Sequence, residues 1–169
     1  MKTTARRPNP AAGFTLIEIM VAMLILAIGL LGLAGMQAGG TRQNLTALTR
    51  SQATVLAYDM AERIRANQAA LTAGNYDNID TNNAPMGADC LAVICAPDVL
   101  AAYDAAEWKA AVEAQLPSGR ATVVGNGAAA GSPMTITIMW DEDRTGVAGT
   151  GCSGNSAVDL KCYTYTFVP

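Results

Sequence analysis

Residues 13–22 read GFTLIEIMVA, and an acidic residue, Glu18, lies at the start of a long apolar run. The following residues, 19–36, contain no charged side chain. About 20 apolar residues in a helix span the hydrocarbon core of a bilayer. The segment therefore predicts a membrane-length helix with a carboxylate at its entrance, although a charge in hydrocarbon is unfavourable unless it is paired.

The remaining composition predicts one modest domain. The chain has 169 residues, and much of its apolar excess lies between residues 14 and 36. The first 13 positions hold three basic residues, Lys2, Arg6 and Arg7, and no acidic residue. The rest of the chain has 8 basic and 14 acidic residues, a net charge of −6. Direct nucleic-acid binding is excluded because it requires clustered Lys and Arg.

The chain has no histidine, so Ser–His and Cys–His nucleophile systems are excluded and the commonest metal ligand is missing. No G-x-x-x-x-G-K-[ST], G-x-S-x-G or H-E-x-x-H motif occurs. We therefore expect no catalytic residue, no metal and no cofactor. A membrane-anchored enzyme that uses carboxylates is the weakest function class.

Three interpretations compete for the N-terminal segment. A secretory signal peptide would have a shorter apolar stretch and a small-residue cleavage site after it. A plain single-pass anchor fits the length, and its basic flank would stay cytoplasmic. The third interpretation rests on the basic KTTARRPNPAAG followed by FTLIEIMVAMLILAIGLL, which resembles the type IV prepilin signal.

That resemblance implies cleavage between Gly13 and Phe14, methylation of the new Phe14 amine, and subunit docking through Glu18, fifth in the mature chain. A neighbouring subunit would bring its own N-terminal amine to Glu18, and opposite charges attract strongly at low dielectric. The predicted organisation is a leader at 1–13, a transmembrane and filament-core segment at 14–36, and a periplasmic head at 37–169.

The helical pattern continues beyond the membrane segment. A drifting apolar stripe at helical period predicts one long helix over about 14–71, ended near Gly74. The stripe comprises Leu45, Leu48, Val55, Leu56, Met60, Ile64 and Leu71. The apolar part of this helix contains Gly29, Gly32 and Gly35. Three interpretations stay open: ordinary membrane-helix glycines, sites of close helix packing, or a locally melted segment.

Loops, a second helix and three strands complete the predicted head. Residues 74–97 have loop composition, and Asp98 is a candidate cap for a helix over 99–115, in which Trp108 is expected to be a core residue. Alternation predicts strands at 120–124, 134–140 and 161–168, with GNGAAAGSP as a hairpin loop between the first two. The fold class is α+β and type IV pilin-like: a long N-terminal helix packed against a C-terminal antiparallel sheet.

The four cysteines contain no C-x-x-C pair, which argues against a zinc ribbon, and outside the cytoplasm they would form disulfides. Local pairing, Cys90 with Cys95 and Cys152 with Cys162, is preferred, but crossed pairing stays open. The acidic turn at 141–143 could bind calcium through Asp141 and Asp143, although a solvated connection is the simpler interpretation. The carboxylates of Asp104 and Glu107 are likewise expected on a solvated face.

Two further stretches, AYDMAERIRAN at 57–67 and LAAYDAAEWKAAVEAQLPSG at 100–119, resemble the PilV-type minor pilins, the type IV pilus modification proteins. This resemblance implies a non-enzymatic minor pilin that primes or modifies pilus assembly at the filament tip. Its partners would be other minor and major pilins, the prepilin peptidase and the inner-membrane assembly platform. It would reside in the inner membrane and then in the pilus.

Two alternatives remain open within this class of anchored protein. A minor pseudopilin of a type II secretion system would carry the same anchor. A tip adhesin would require an exposed aromatic or apolar patch on the head.

Overall fold

The computed structural model describes residues 13–82, 88–125 and 132–169. Nearly all of the predicted leader, part of the predicted 74–97 loop and most of the predicted hairpin loop lie outside these ranges. The chain divides into two compact units, one ending at Asn44 and the other running Leu45–Pro169.

Helix α1 spans Leu16–Ala66 and therefore belongs to both units. No proline interrupts these residues, and the backbone stays helical through Gly29, Gly32 and Gly35. The prediction of one helix reaching residue 71 is wrong at its end, because α1 stops before Asn67 and a short helix α2 follows at Gln68–Thr72.

Asn67 explains this break. Its backbone leaves the helical region at φ −109° and ψ 67°, and its side-chain oxygen accepts a hydrogen bond from the Ala70 N–H. Its side-chain amide donates to Tyr76 Oη and to the Pro97 carbonyl oxygen. Short polar side chains that bond nearby backbone compete with the helix ladder, and here the tertiary contacts reinforce that competition.

Helix α2 ends just before Gly74, the glycine near which the sequence predicted the end of the helix. The Gly74 N–H donates to the Leu71 carbonyl and the Asn75 N–H donates to the Ala70 carbonyl, which is the Schellman arrangement. Gly74 has φ +76°, a left-handed conformation that glycine adopts without strain.

Helix α3 spans Pro97–Gln115 and begins two residues earlier than predicted. The proposed cap at Asp98 is wrong: the N-cap is Ala96, without a side-chain hydrogen bond, and Asp98 lies in the first turn. Pro97 fits the start because its missing N–H would have had no helical partner there. Asp98 still favours the start electrostatically, as acids do near a helix N-terminus.

The sheet has four antiparallel strands in the order β1-β2-β3-β4: Asn78–Ile79, Arg120–Val124, Met134–Trp140 and Lys161–Phe167. The last three agree with the predicted strands to within one residue. Strand β1 was predicted as loop, because two residues carry no alternation signal. It is a strand because it pairs with β2, with Asn78 opposite Val124 and Ile79 opposite Val123.

The core of the second unit packs α1, α3 and the inner sheet face together. The predicted α1 stripe is only partly right, since Leu45, Leu48 and Val55 are exposed. Instead, half of the buried α1 residues are alanines, each of them fully buried. The buried α1 residues are Ala53, Leu56, Ala57, Met60, Ala61 and Ile64.

Candidate functional site

The start of α1 is organised around Thr15. Its carbonyl oxygen accepts hydrogen bonds from the N–H groups of Glu18 and Ile19, at 3.1 and 3.3 Å, and its hydroxyl accepts from the Glu18 N–H at 3.4 Å. Thr15 followed three residues later by Glu18 has the spacing of a capping box, a signal that our sequence reasoning missed. Glu18 thus also stands where a helix N-terminus favours an acid.

A shallow groove of about 440 Å³ runs along this end of α1. Its lining consists of the Glu18 carboxylate and mostly large apolar side chains. Of these, Phe14 is 79% exposed. Among the residues that the structure describes, none forms an ion pair with Glu18. The groove is lined by Phe14, Glu18, Ile19, Ala22, Met23 and Leu26.

The apolar part of α1 exposes its large side chains on all sides. Between residues 16 and 36 their exposed fractions run from 48% to 78%. The helix is long and apolar enough to cross a membrane by length and composition, with a mean hydropathy of 2.7 in its best 18-residue window. A helix that is apolar all round requires an apolar environment, either lipid or other subunits.

Both disulfides of the second unit join near neighbours in sequence. Cys90 is bonded to Cys95 and Cys152 to Cys162, with Cα–Cα distances of 5.5 and 5.6 Å. The smaller loop carries three apolar residues at its surface: Leu91, Val93 and Ile94 are 86%, 57% and fully exposed.

A buried polar network ties α1, α3 and the segment after α2 together. Asp104 accepts hydrogen bonds from Tyr76 Oη at 2.7 Å and from Arg63 Nη1 at 3.3 Å, while Arg63 Nε donates to Asp59 at 3.0 Å. Burial, reinforced by Asp104, raises the pKa of Tyr76. The expectation of a solvated Asp104 is therefore wrong, although its neighbour Glu107 is exposed.

The acidic turn after β3 is solvated at residues 143–146, as expected, but not at Asp141. Asp141 is 3% exposed, and its carboxylate accepts the Gly146 N–H at 2.7 Å. Burial opposes ionisation, but hydrogen bonds from Gly146, Thr145 and Arg144 outweigh it and hold the pKa of Asp141 below its usual value. Within the described ranges, no three His, Cys, Asp or Glu side chains cluster closely enough to hold a metal ion.

The loop between β3 and β4 is ordered by a second carboxylate. Asp159 accepts the N–H groups of Gly151 and Ser153 at 3.2 and 3.0 Å. Hydrogen bonds from Ser153 and Gly151 hold the pKa of Asp159 below its usual value, against a smaller opposing effect of burial.

Two sequence families match the chain in adjoining segments. The prokaryotic N-terminal methylation motif matches residues 8–34, and the family described as type IV pilin Tt1218 matches residues 35–106. No curated protein and no solved structure matches. The methylation motif spans Gly13, Phe14 and Glu18, and the pilin match continues from it into the head.

The chain belongs to the type IV pilins. The long apolar N-terminal helix followed by a small antiparallel sheet confirms the predicted fold class. As a pilin it is a subunit of a structural family, and its methylation motif implies processing by a prepilin peptidase and assembly with other pilins.

The pilin's predicted site residues fall into separate groups. Phe14 and Glu18 line one groove. The cysteines belong to the other unit, where Cys162 lies in β4 and the other three lie in loops. Sequence reasoning missed Thr15, Asn67 and Tyr76. A T-x-x-E pattern signals Thr15, but no local pattern signals the other two, because their partners lie at Pro97 and Asp104.

Proposed function

We propose that this pilin is a minor subunit of the PilV type, cleaved between Gly13 and Phe14, methylated at Phe14 and docked into the filament through Glu18. The observation that carries the proposal is the position of Glu18, a carboxylate without an ion-pair partner in the described chain, in one groove with Phe14 and inside the methylation-motif match.

The chemistry of the groove supports a charged partner from another subunit. Cleavage after Gly13 leaves a positive amine on Phe14, which is as unfavourable in an apolar environment as the Glu18 carboxylate. Bringing the amine of one subunit to the carboxylate of the next neutralises both. The charge pair would also set the axial register of the subunits, as one buried polar residue sets register in coiled coils.

The minor-pilin assignment is supported by the two stretches that resemble the PilV type. They meet in the head, where Arg63 of the first bonds Asp104 of the second. Trp108 Nε1, also in the second stretch, donates at 2.8 Å to the carbonyl oxygen of Leu56, immediately before the first. The stretches thus form one packed unit, consistent with a shared head architecture.

We propose insertion in the inner membrane with the basic leader in the cytoplasm and the head in the periplasm. Lys2, Arg6 and Arg7 supply the positive flank that stays cytoplasmic. Two disulfides fit an oxidising compartment. From there the subunit would meet other minor pilins and the assembly platform and would prime or modify the filament at its tip.

Mass spectrometry of the N-terminal peptide tests the processing. We expect methylated Phe14 at the N-terminus of protein from native membranes and from sheared surface filaments. The variant Gly13→Val should retain the leader. Gly29→Ala is the matched control: a Cβ at that glycine meets open space, so processing should be unchanged.

Three results would count against the proposal. An intact leader in the native protein would make it a plain anchored domain. A processed protein absent from filaments would favour the secretion pseudopilin. Equal abundance with the major subunit along the filament would contradict a minor role.

A further inference from the structure

The sheet of the head has one long open edge. Strand β4, Lys161–Phe167, pairs with β3 through seven residue pairs, from Met134–Phe167 to Trp140–Lys161. In the part of the chain that the structure describes, no strand pairs with its other side. In an antiparallel pair, alternate residues direct their N–H and C=O groups away from the partner. About half of the β4 backbone groups therefore face outward.

The features that usually protect an edge are scarce here. Natural edge strands are short, bulged, charged or interrupted by proline. The register of β4 against β3 is constant, so the pairing has no bulge, and the strand KCYTYTF has no proline and one charge, Lys161. The opposite edge is different: β1 has two residues, and just beyond it Lys109 Nζ donates to the Asp80 carbonyl oxygen at 2.6 Å.

Helix α1 provides an exposed apolar surface beside the open edge. The Tyr58 ring lies 4.6 Å from the ring of Tyr165 on β4, yet Tyr58 remains 48% exposed. Val55, about one turn earlier on α1, is 65% exposed. An added strand would place alternate side chains over these two residues while its backbone bonded β4.

A second copy of the pilin fits this edge poorly. An antiparallel pair of β4 strands needs a two-fold axis perpendicular to the sheet, which reverses the direction of the helix packed on it. Two heads whose α1 segments run in the same direction cannot form that pair. An in-register parallel pair would instead set Lys161 against Lys161, and like charges directly opposite each other are destabilising.

We propose that the open edge of β4 binds an extended, antiparallel segment of a different protein, with apolar side chains over Val55 and Tyr58 and an acidic group opposite Lys161. Lys161 is exposed and forms no ion pair within the described chain, so a carboxylate at the C-terminal end of the segment complements it. Such strand addition gives affinity through the backbone and specificity through alternate side chains. The inference does not depend on the leader or on Glu18.

Hydrogen exchange of the full-length pilin in nanodiscs tests the edge directly. In the free protein, about half of the β4 amides should exchange fast, whereas those of β3, which is paired on both sides, should be slow. A synthetic peptide that alternates Thr and Val and ends in Glu should slow the fast β4 amides and leave β2 unchanged. Uniformly slow β4 amides in the free protein, or no change with millimolar peptide, would overturn the proposal.

A charge-reversal variant of Lys161 and two matched valine variants test whether peptides bind specifically at this edge. Lys161→Glu should weaken binding of the Glu-ended peptide about threefold to tenfold and strengthen binding of a Lys-ended one, as expected for an exposed ion pair. Val55→Glu should weaken both peptides. Val93→Glu, at a similarly exposed valine in the small disulfide loop, should change neither. Equal binding by all variants would show adsorption unrelated to the edge and would refute the site.

Discussion

Tyr76 Oη donates a 2.7 Å hydrogen bond to Oδ2 of Asp104, 28 residues further along the chain, and both residues are buried. With Arg63 on the other carboxylate oxygen and Asn67 on the tyrosine oxygen, this bond joins the break between α1 and α2 to the middle of α3. The head is therefore held by a polar network as well as by its apolar core.

Replacing Asp104 should destabilise the head. Asp104→Asn keeps the volume but removes the charge that both Tyr76 and Arg63 contact, and we expect a loss of about 1–3 kcal/mol in the free energy of unfolding. Glu107→Gln is the matched control on the same helix, because its side chain is exposed, and it should stay within about 0.5 kcal/mol. Urea unfolding measures both, and equal effects would contradict the network.

Ionisation of Tyr76 should destabilise the protein at alkaline pH. Its pKa is raised on folding, mainly by burial and by Asp104. The folded state therefore holds the proton more tightly, and stability falls as pH rises above about 10, the ordinary tyrosine value. Tyr76→Phe should be less stable at pH 8 but should lose less on going to pH 11. The same alkaline loss in both proteins would assign it to other groups.

Asp159 should contribute to stability with the opposite pH dependence. Its folded pKa is depressed by hydrogen bonds from Ser153 and Gly151, so its contribution is present above about pH 4 and is lost as the pH falls through the lower folded value. Asp159→Asn should lower the free energy of unfolding at pH 7. In a plot of that free energy against pH, it should also make the fall at acidic pH less steep. Glu113→Gln, an exposed acid on α3, should leave that fall unchanged.

The two disulfides should differ in what they contribute. The Cys152–Cys162 bond closes a longer loop than Cys90–Cys95, with sequence separations of 10 and 5. Because each bond lowers the chain entropy of the unfolded state, it should raise the free energy of unfolding by about 3 kcal/mol for Cys152–Cys162 and about 2 kcal/mol for Cys90–Cys95. Paired Cys→Ser variants measured by denaturant unfolding should follow that order, and a larger loss at Cys90–Cys95 would show that packing of its exposed apolar loop matters more than loop closure.

Glu18→Ala should block filament entry while leaving the protein in the membrane. The unpaired amine of the neighbouring subunit would then face an apolar groove without compensation. Gln37→Ala, a polar substitution elsewhere in α1, should enter filaments normally. Quantification of each variant in sheared filaments and in membranes makes the comparison, and normal incorporation of Glu18→Ala would refute the docking role.

Local sequence patterns by themselves determined the contiguous features of this pilin. The prepilin signal, the membrane-length helix, the glycine end at Gly74 and three of the four strands follow from spacing within a few residues, because period, turn chemistry and cleavage motifs are local properties. The family matches agree with the first of these.

Tertiary structure decided the features whose causes are distant in the chain. Strand β1 exists because β2 pairs with it, and α1 ends before Asn67 because that side chain reaches Pro97 and Tyr76. Asp104 is buried rather than solvated because Tyr76 and Arg63 meet its carboxylate. Each outcome depends on partners about 10 to 45 residues away, and only the folded chain brings those groups within hydrogen-bonding distance.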